Sequence, residues 1–466
     1  MSGKTLLDKL WDSHSIAQYE DGWTLLHIDR QLLHDLSGTA SLNMLSSRGL
    51  RVCNPELAFA TPDHAVSTAP GRTPFTYAAG GKLWQRLKDL TGKEGIRLFD
   101  IGQEGHGIVH VMAPELGLVL PGLTVICGDS HTCTNGALGA LAFGVGTSEL
   151  AHALATQTLV QRKPKAMRIR FSGALAPGVS AKDLILYTIG KLGSAAGTGY
   201  AVEYAGELVE AFSIEQRMTL CNLSIEFGAK MGFIAPDETS YRYIKGRSYA
   251  PGDELWDQAC ASWRLLHSDP DARFDREETI DASRVGQMIT WGISPEHVIP
   301  VTGTVPVLED AKEVSVRSAW VNAYEYMGLA PGASIAGTRI DRVFIGSCTN
   351  ARLSDLALAA QVVRGRHVAP HVTAWVAPGS EMVKREAQSL GLDRIFIDAG
   401  FEWREPGCGM CVAANGERAL PGERVVSTTN RNFVGRQGPG VRTHLASPAV
   451  AAASALAGVI SGVSEA

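Results

Sequence analysis

The sequence predicts an α/β protein built on mostly parallel sheets. Short apolar, strand-like runs end repeatedly in loops containing Gly, Pro or Asp: "LAFATPDH" (57–64), "LTVICGDSHT" (123–132), "DRVFIGSCTN" (341–350), "IFIDAGFEWREPGCGMC" (395–411) and "RVVSTTNRNFVGR" (424–436). Helix-like segments such as "LSDLALAAQVV" (353–363) alternate with them, which is the pattern of βα units. In such sheets ligands bind outside the carboxyl ends of the strands. Each of the five loops carries polar residues with chemical uses, so together they predict an active site assembled from several loops.

The bulk composition narrows the class. A chain of 466 residues, 45 % hydrophobic and 20 % charged, predicts two or three domains with ample buried core. A formal charge of −5 argues against nucleic acid or acidic membrane as the main partner. The start "MSGKTLLDKLWDSH" lacks the apolar core of a signal peptide, and no stretch reads as an uncharged span of roughly 20 residues. Eight cysteines without a secretory signal predict reduced thiols in the cytoplasm. The Ala-rich "PAVAAASALAGVISGV" reads as a packed C-terminal helix. Residues 241–285 are polar with Pro-Gly and Asp-Pro breaks and read as an excursion or linker between lobes. The domain boundary is expected near 290, giving 1–290 and 291–466.

Taken in order, the loops carry these candidates. "PDH" and "GDSH" set Asp63 beside His64, and Asp129 two residues from His131. A carboxylate that holds an imidazole fixes its tautomer and raises its basicity, as acid–base work requires; for either pair alone, a turn Asp beside a surface His is the favoured reading. "GIVHVM" sets His110 in an apolar run, where a satisfied core histidine is the plain alternative. In "MTLCNLSIEFGAK", Asn222 and Glu226 are spaced i, i+4 on a helix-like segment and share one face. Cys348 follows the strand-like "VFI", and Cys408 and Cys411 form a Cys-x-x-Cys in a Gly/Pro-rich loop. Spacing alone leaves three readings open: a redox pair, part of a zinc site, or an iron–sulfur cluster with a three-cysteine set and one vacant iron. "NRNFVGR" sets Arg431 and Arg436 in one loop, suited to bidentate grip on carboxylates.

These stretches, with "KTLLDKLWDSH", "IDRQLLHD", "GALAFGVGTSE" and "FEWREPGCGMC", resemble the aconitase family over essentially the whole chain, and within it the isopropylmalate branch. The pairing of "GSCTN" with a later "PGC-x-x-C" is specific to that family. The resemblance implies an aconitase-like fold of three α/β lobes around a central cluster, with the swivelling fourth domain carried by a separate small subunit that supplies a serine base. It implies that Cys348, Cys408 and Cys411 hold a [4Fe-4S] cluster with one open iron. It implies acid–base roles for Asp63, His64, Asp129 and His131, with His64 protonating the departing hydroxyl. His110 would lie near the cluster and substrate, and Glu226 would hydrogen-bond the iron-bound water. His34, Ser130, Arg431 and Arg436 would contact substrate, with Asn222 and Asn430 in the cluster environment. The implied reaction is dehydration and rehydration of 2-isopropylmalate in leucine biosynthesis. His106, Cys133 and Asn135 depart from the family's usual residues and leave citramalate, dimethylmalate or homocitrate as alternative substrates.

Overall fold

The computed structural model describes residues 3–463. It divides into two compact units. The first runs up to Val66 and takes in Ala78–Gly173 and Ala195–Asp281; the second comprises Ser67–Tyr77, Ala174–Ser194 and the chain from Ala282 onward. Two short stretches from early in the sequence therefore belong with the later unit.

The first unit has a parallel five-stranded sheet, ordered Arg97–Leu98, Ala58–Thr61, Arg30–His34, Thr124–Cys127, Leu141–Gly144. Strands 58–61 and 124–127 are buried along their whole length, as expected where helices cover both faces of a parallel sheet. Numbered along the chain, the spatial order is 3-2-1-4-5. The direction of winding reverses between Arg30–His34 and Thr124–Cys127, which makes their carboxyl ends the crevice of a doubly wound sheet. A second parallel sheet of four strands, with the edge strand Arg276–Asp281 beside Lys165–Ser172, and a three-stranded antiparallel sheet complete the unit.

The second unit repeats the plan. Its parallel sheet is ordered Glu402–Trp403, Thr373–Val376, Arg342–Ile345, Arg424–Ser427, Arg442–Leu445, again 3-2-1-4-5, with the winding reversal between 342–345 and 424–427. Both of those strands are fully buried. The Ala-rich segment forms the expected helix, Pro448–Ala457, with eight of its residues buried.

Three local expectations change. "IFID" lies in the helix Leu392–Asp398, and the strand that leads to the cysteine pair is the short Glu402–Trp403. The polar stretch 241–285 contains two helix segments, Glu238–Ile244 and Asp253–Trp263, and the sheet strand 276–281. It is not a linker, because an edge strand alternating half-buried and exposed residues looks polar by composition. Finally, Asn222 is the last residue of the helix Ile214–Asn222, and Glu226 lies in the 3₁₀ turn Leu223–Phe227. They do not share an α-helical face.

Candidate active site

The first unit gathers its histidine and carboxylate candidates at the winding reversal. His34 ends its strand, Asp63 and His64 follow the next, and Asp129 to His131 follow Thr124–Cys127. The His34 and His64 rings stack with centroids 4.1 Å apart. His64 Nδ1 donates to Asp63 Oδ1 at 2.5 Å, and Asp63 Oδ2 accepts the Val109 amide at 2.8 Å. Asp35 holds the loop from below, accepting the amides of His64 and Ala65. Ligand atoms of His34, Asp35, Asp63 and His64 lie within 4.8 Å of one another. Both carboxylates already accept protein N–H groups, so the cluster reads as a proton network.

Asp129 is the hub of that network. His110 Nε2 donates to its Oδ1 at 3.1 Å, His64 Nε2 lies 3.3 Å from its Oδ2, and the His131 amide donates to Oδ1 at 2.7 Å. The His131 ring turns to Glu226, with Nε2 to Oε1 at 2.8 Å and only 3.6 Å from Nδ1 to Asp129. The pairing read from "GDSH" is thus a shared one, Asp129 serving three histidines and Glu226 completing His131. Burial opposes charge on Asp129, but hydrogen bonds from His110, His131 and His64 outweigh it and hold the carboxyl well below its ordinary range. Burial lowers His110 more than Asp129 raises it, whereas at His131 the bonds to Asp129 and Glu226 win over burial and raise it. For Asp63 the His64 charge and hydrogen bond overcome burial and keep the carboxyl low.

The three residues that depart from the usual pattern are wired into this network. His106 Nε2 donates to the Pro62 carbonyl at 2.9 Å, bracing the Asp63 turn. Asn135 Nδ2 donates to His110 Nδ1 at 3.3 Å, leaving Nε2–H for Asp129. The Cys133 thiol lies 3.6 Å from the Asn222 carbonyl, and the Asn222 amide donates to Thr134 Oγ1 at 2.8 Å. Asn222 and Glu226 therefore meet on the 130–138 turn, not on a helix face. Ser130 is half-buried at the start of that turn.

The second unit gathers the cysteines at its own winding reversal. Cys348 follows Arg342–Ile345, Asn430 follows Arg424–Ser427, and Cys408 and Cys411 close one 3₁₀ turn after the edge strand Glu402–Trp403, two places from Arg342–Ile345 in the sheet. All three cysteines are buried and free of disulfide. Ser347 Oγ lies 3.5 Å from Cys411 Sγ and 3.9 Å from Cys348 Sγ. Asn430 touches the same two sulfurs, each at 3.6 Å, and Arg436 Nη2 lies 3.8 Å from Cys411 Sγ. Arg431 is half-buried in the same loop. Ser347 has φ +79°, a left-handed conformation that non-glycine residues adopt at a cost of about 1 kcal/mol or more. Gly409, inside the Cys-x-x-Cys, has φ +53°, and a Cβ there would stand 3.0 Å from the Phe344 ring.

Several supporting residues carried no local signal. Arg352, fully buried, donates to the Cys348 and Thr349 carbonyls. Arg72 donates to the Pro406 carbonyl, the Glu405 amide bonds Thr68 O, and Glu417 accepts from Ser67, Thr68 and Arg404. The 67–77 segment thereby clamps the loop that leads into Cys408. The donor set suits an iron–sulfur group: three soft sulfurs on glycine-containing loops. A hydroxyl, an amide and a guanidinium lie against the sulfurs of Cys348 and Cys411, none of them a usual zinc ligand.

Comparisons with known proteins identify the chain's relatives. Residues 8–458 match the Aconitase family (aconitate hydratase). The chain is 62 % identical over 461 residues to the 3-isopropylmalate dehydratase large subunit 1 of Bradyrhizobium diazoefficiens, covering 99 % of this chain and 96 % of that protein. A crystal structure of Thermococcus kodakaraensis aconitase X in its holo form aligns at 14 % identity and TM-score 0.45, covering 92 % of this chain and 89 % of that one. The chain belongs to the aconitase family.

Proposed function

We propose that this chain is the cluster-bearing large subunit of a 3-isopropylmalate dehydratase, a hydro-lyase that isomerises 2-isopropylmalate to 3-isopropylmalate through isopropylmaleate in leucine biosynthesis. The observation that carries this reading is the identity of 62 % across 99 % of the chain to a protein of that name, together with three buried, disulfide-free cysteines. Cys348, Cys408 and Cys411 would hold a [4Fe-4S] cluster. When bound, its open iron supplies a Lewis acid for the substrate's C–O bond.

The chain's own residues move protons and grip charge. Asp63 fixes Nδ1 of His64, so the proton that leaves with the hydroxyl is held at Nε2, within reach of Asp129. A positioned imidazole of this kind contributes about 10²–10⁴-fold. Glu226 orients His131 through Nε2 and is assigned to the water that departs and returns. Arg431 and Arg436 bind substrate carboxylate, where bidentate donors also stabilise charge that develops as the carbon acid ionises. His34 and Ser130 contact substrate. The serine base that takes the carbon-bound proton is assigned to a separate small subunit, so the isolated chain is inactive.

The test is anaerobic reconstitution with iron and sulfide, followed by assay of 2-isopropylmalate turnover with and without the small subunit of the same kind. The expected result is a visible band near about 400 nm and turnover only with both chains. Full activity from the single chain would overturn the two-subunit reading. Preference for citramalate, dimethylmalate or homocitrate over 2-isopropylmalate would overturn the substrate.

A further inference from the structure

Lys182 has no role in the proton network or in the cysteine ligand set, yet its side chain is fully buried. It is the second residue of the helix Ala181–Leu192, on one of the two early stretches that belong with the second unit. Nζ donates to two main-chain carbonyls, Thr428 at 3.0 Å and Thr429 at 2.6 Å. The next residue is Asn430, which touches the sulfurs of Cys348 and Cys411. Thr428 is itself stitched to the Cys348 loop, its Oγ1 bonding the Gly346 amide and carbonyl.

The two nearby carboxylates are committed elsewhere. Asp183 accepts from Ser180 and from the Met288 amide, and Asp355 accepts from Asn350 and the Arg352 amide. An ammonium bonded only to carbonyls in a dry interior is disfavoured. Burial draws the Lys182 pKa down to about 7, against the opposing pull of Asp355, Cys411 and Cys348. A cluster with three thiolate ligands carries net negative charge, and that charge would favour the ammonium.

We propose that Lys182 is a positioning residue and counter-cation for the cysteine centre, fixing the Thr428–Thr429 turn so that Asn430 meets the sulfurs and setting the charge that a bound iron–sulfur cluster feels. The inference rests on the cluster reading above. It concerns the second unit alone and adds no step to the reaction.

The experiment uses the full chain, reconstituted anaerobically, and compares wild type with Lys182→Gln and Lys182→Met. Iron and sulfide per chain, thermal midpoint, and cluster midpoint potential from an EPR-monitored redox titration are measured. Gln keeps a donor for a carbonyl but no charge. It is expected to load a cluster whose potential is more negative than wild type, because the reduced form loses its neighbouring cation. Met keeps neither and is expected to lose iron several-fold faster. A wild-type potential in Lys182→Gln overturns the proposal, since a merely structural lysine would leave the potential where it was. If Lys182→Gln does not fold, the potential of Lys182→Met decides: a more negative value than wild type supports the proposal, and a wild-type value overturns it. Wild-type chain that binds no iron and sulfide would instead overturn the cluster reading, and this inference with it.

Discussion

Asp129 shows how much one carboxylate can organise. It meets His64, His110 and the amide of His131, so Asp129→Asn is expected to lower kcat by about 10²–10⁴-fold while leaving iron content unchanged. The same substitution alters the acid limb of stability. The Asp129 pKa is depressed on folding, so its stabilisation is present above the ordinary value of 3.8 and is lost as pH falls through the lower folded value. His131 runs the other way: its raised pKa makes its contribution complete below 6.5 and lost as pH climbs through the folded value. Urea midpoints from pH 2 to pH 8 should show wild type weakening below pH 4 and Asp129→Asn lacking that component. Among the cysteines, serine at 348, 408 or 411 should remove the visible band, whereas Cys53→Ser, at an exposed thiol, should retain it. Lys182 is the residue that sequence could not flag. A lysine opening a helix looks like any solvated one, and what buries it lies 246 residues away.

At the scale of elements, the loops were legible because strand ends and chemical residue types coincide. "TPDH", "GDSH", "GSCTN" and "NRN" each follow a buried strand. Helical periodicity misled at Glu226, where a 3₁₀ turn replaces the last helical turn and Oε1 meets the His131 ring. Composition misled at 276–281, since an edge strand with one wet face reads as polar linker. Two elements invite direct tests. Ser347→Gly relieves the left-handed φ but removes the hydroxyl between two sulfurs, so the apo chain should melt no lower than wild type while iron loss is faster. Glu417→Ala takes one of two carboxylates from the buried Arg404 guanidinium, Glu402 being the other, and strands the Ser67 and Thr68 hydroxyls; denaturant unfolding should report a loss of about 1–3 kcal/mol.

For the whole molecule, the shared 3-2-1-4-5 order of the two five-stranded sheets was invisible in the sequence, because strand pairing across long separations leaves no periodic trace. It explains why the histidine–carboxylate cluster and Cys348 with Asn430 each lie at a winding reversal. The division into units was equally hidden, since 67–77 and 174–194 sit inside the sequence of the first unit. Limited proteolysis followed by isolation of the fragments checks that division. Residues 282–466 alone, lacking Thr68, Arg72 and Lys182, are expected to retain no iron–sulfur chromophore. Retention at wild-type stoichiometry would mean those early stretches are dispensable.

Those same two stretches set a timetable for biosynthesis. Lys182 leaves the ribosome with its carbonyl partners still 246 residues from being made, a delay of roughly ten to fifty seconds at elongation rates of about 5–20 residues per second. Until then Lys182 lacks both of its carbonyls, and Arg72 lacks Pro406 although the Ser67 carbonyl is already beside it. Slow decoding beyond residue 411 would thus lengthen the interval in which Cys348, Cys408 and Cys411 are made but the turn that Lys182 holds is not yet closed.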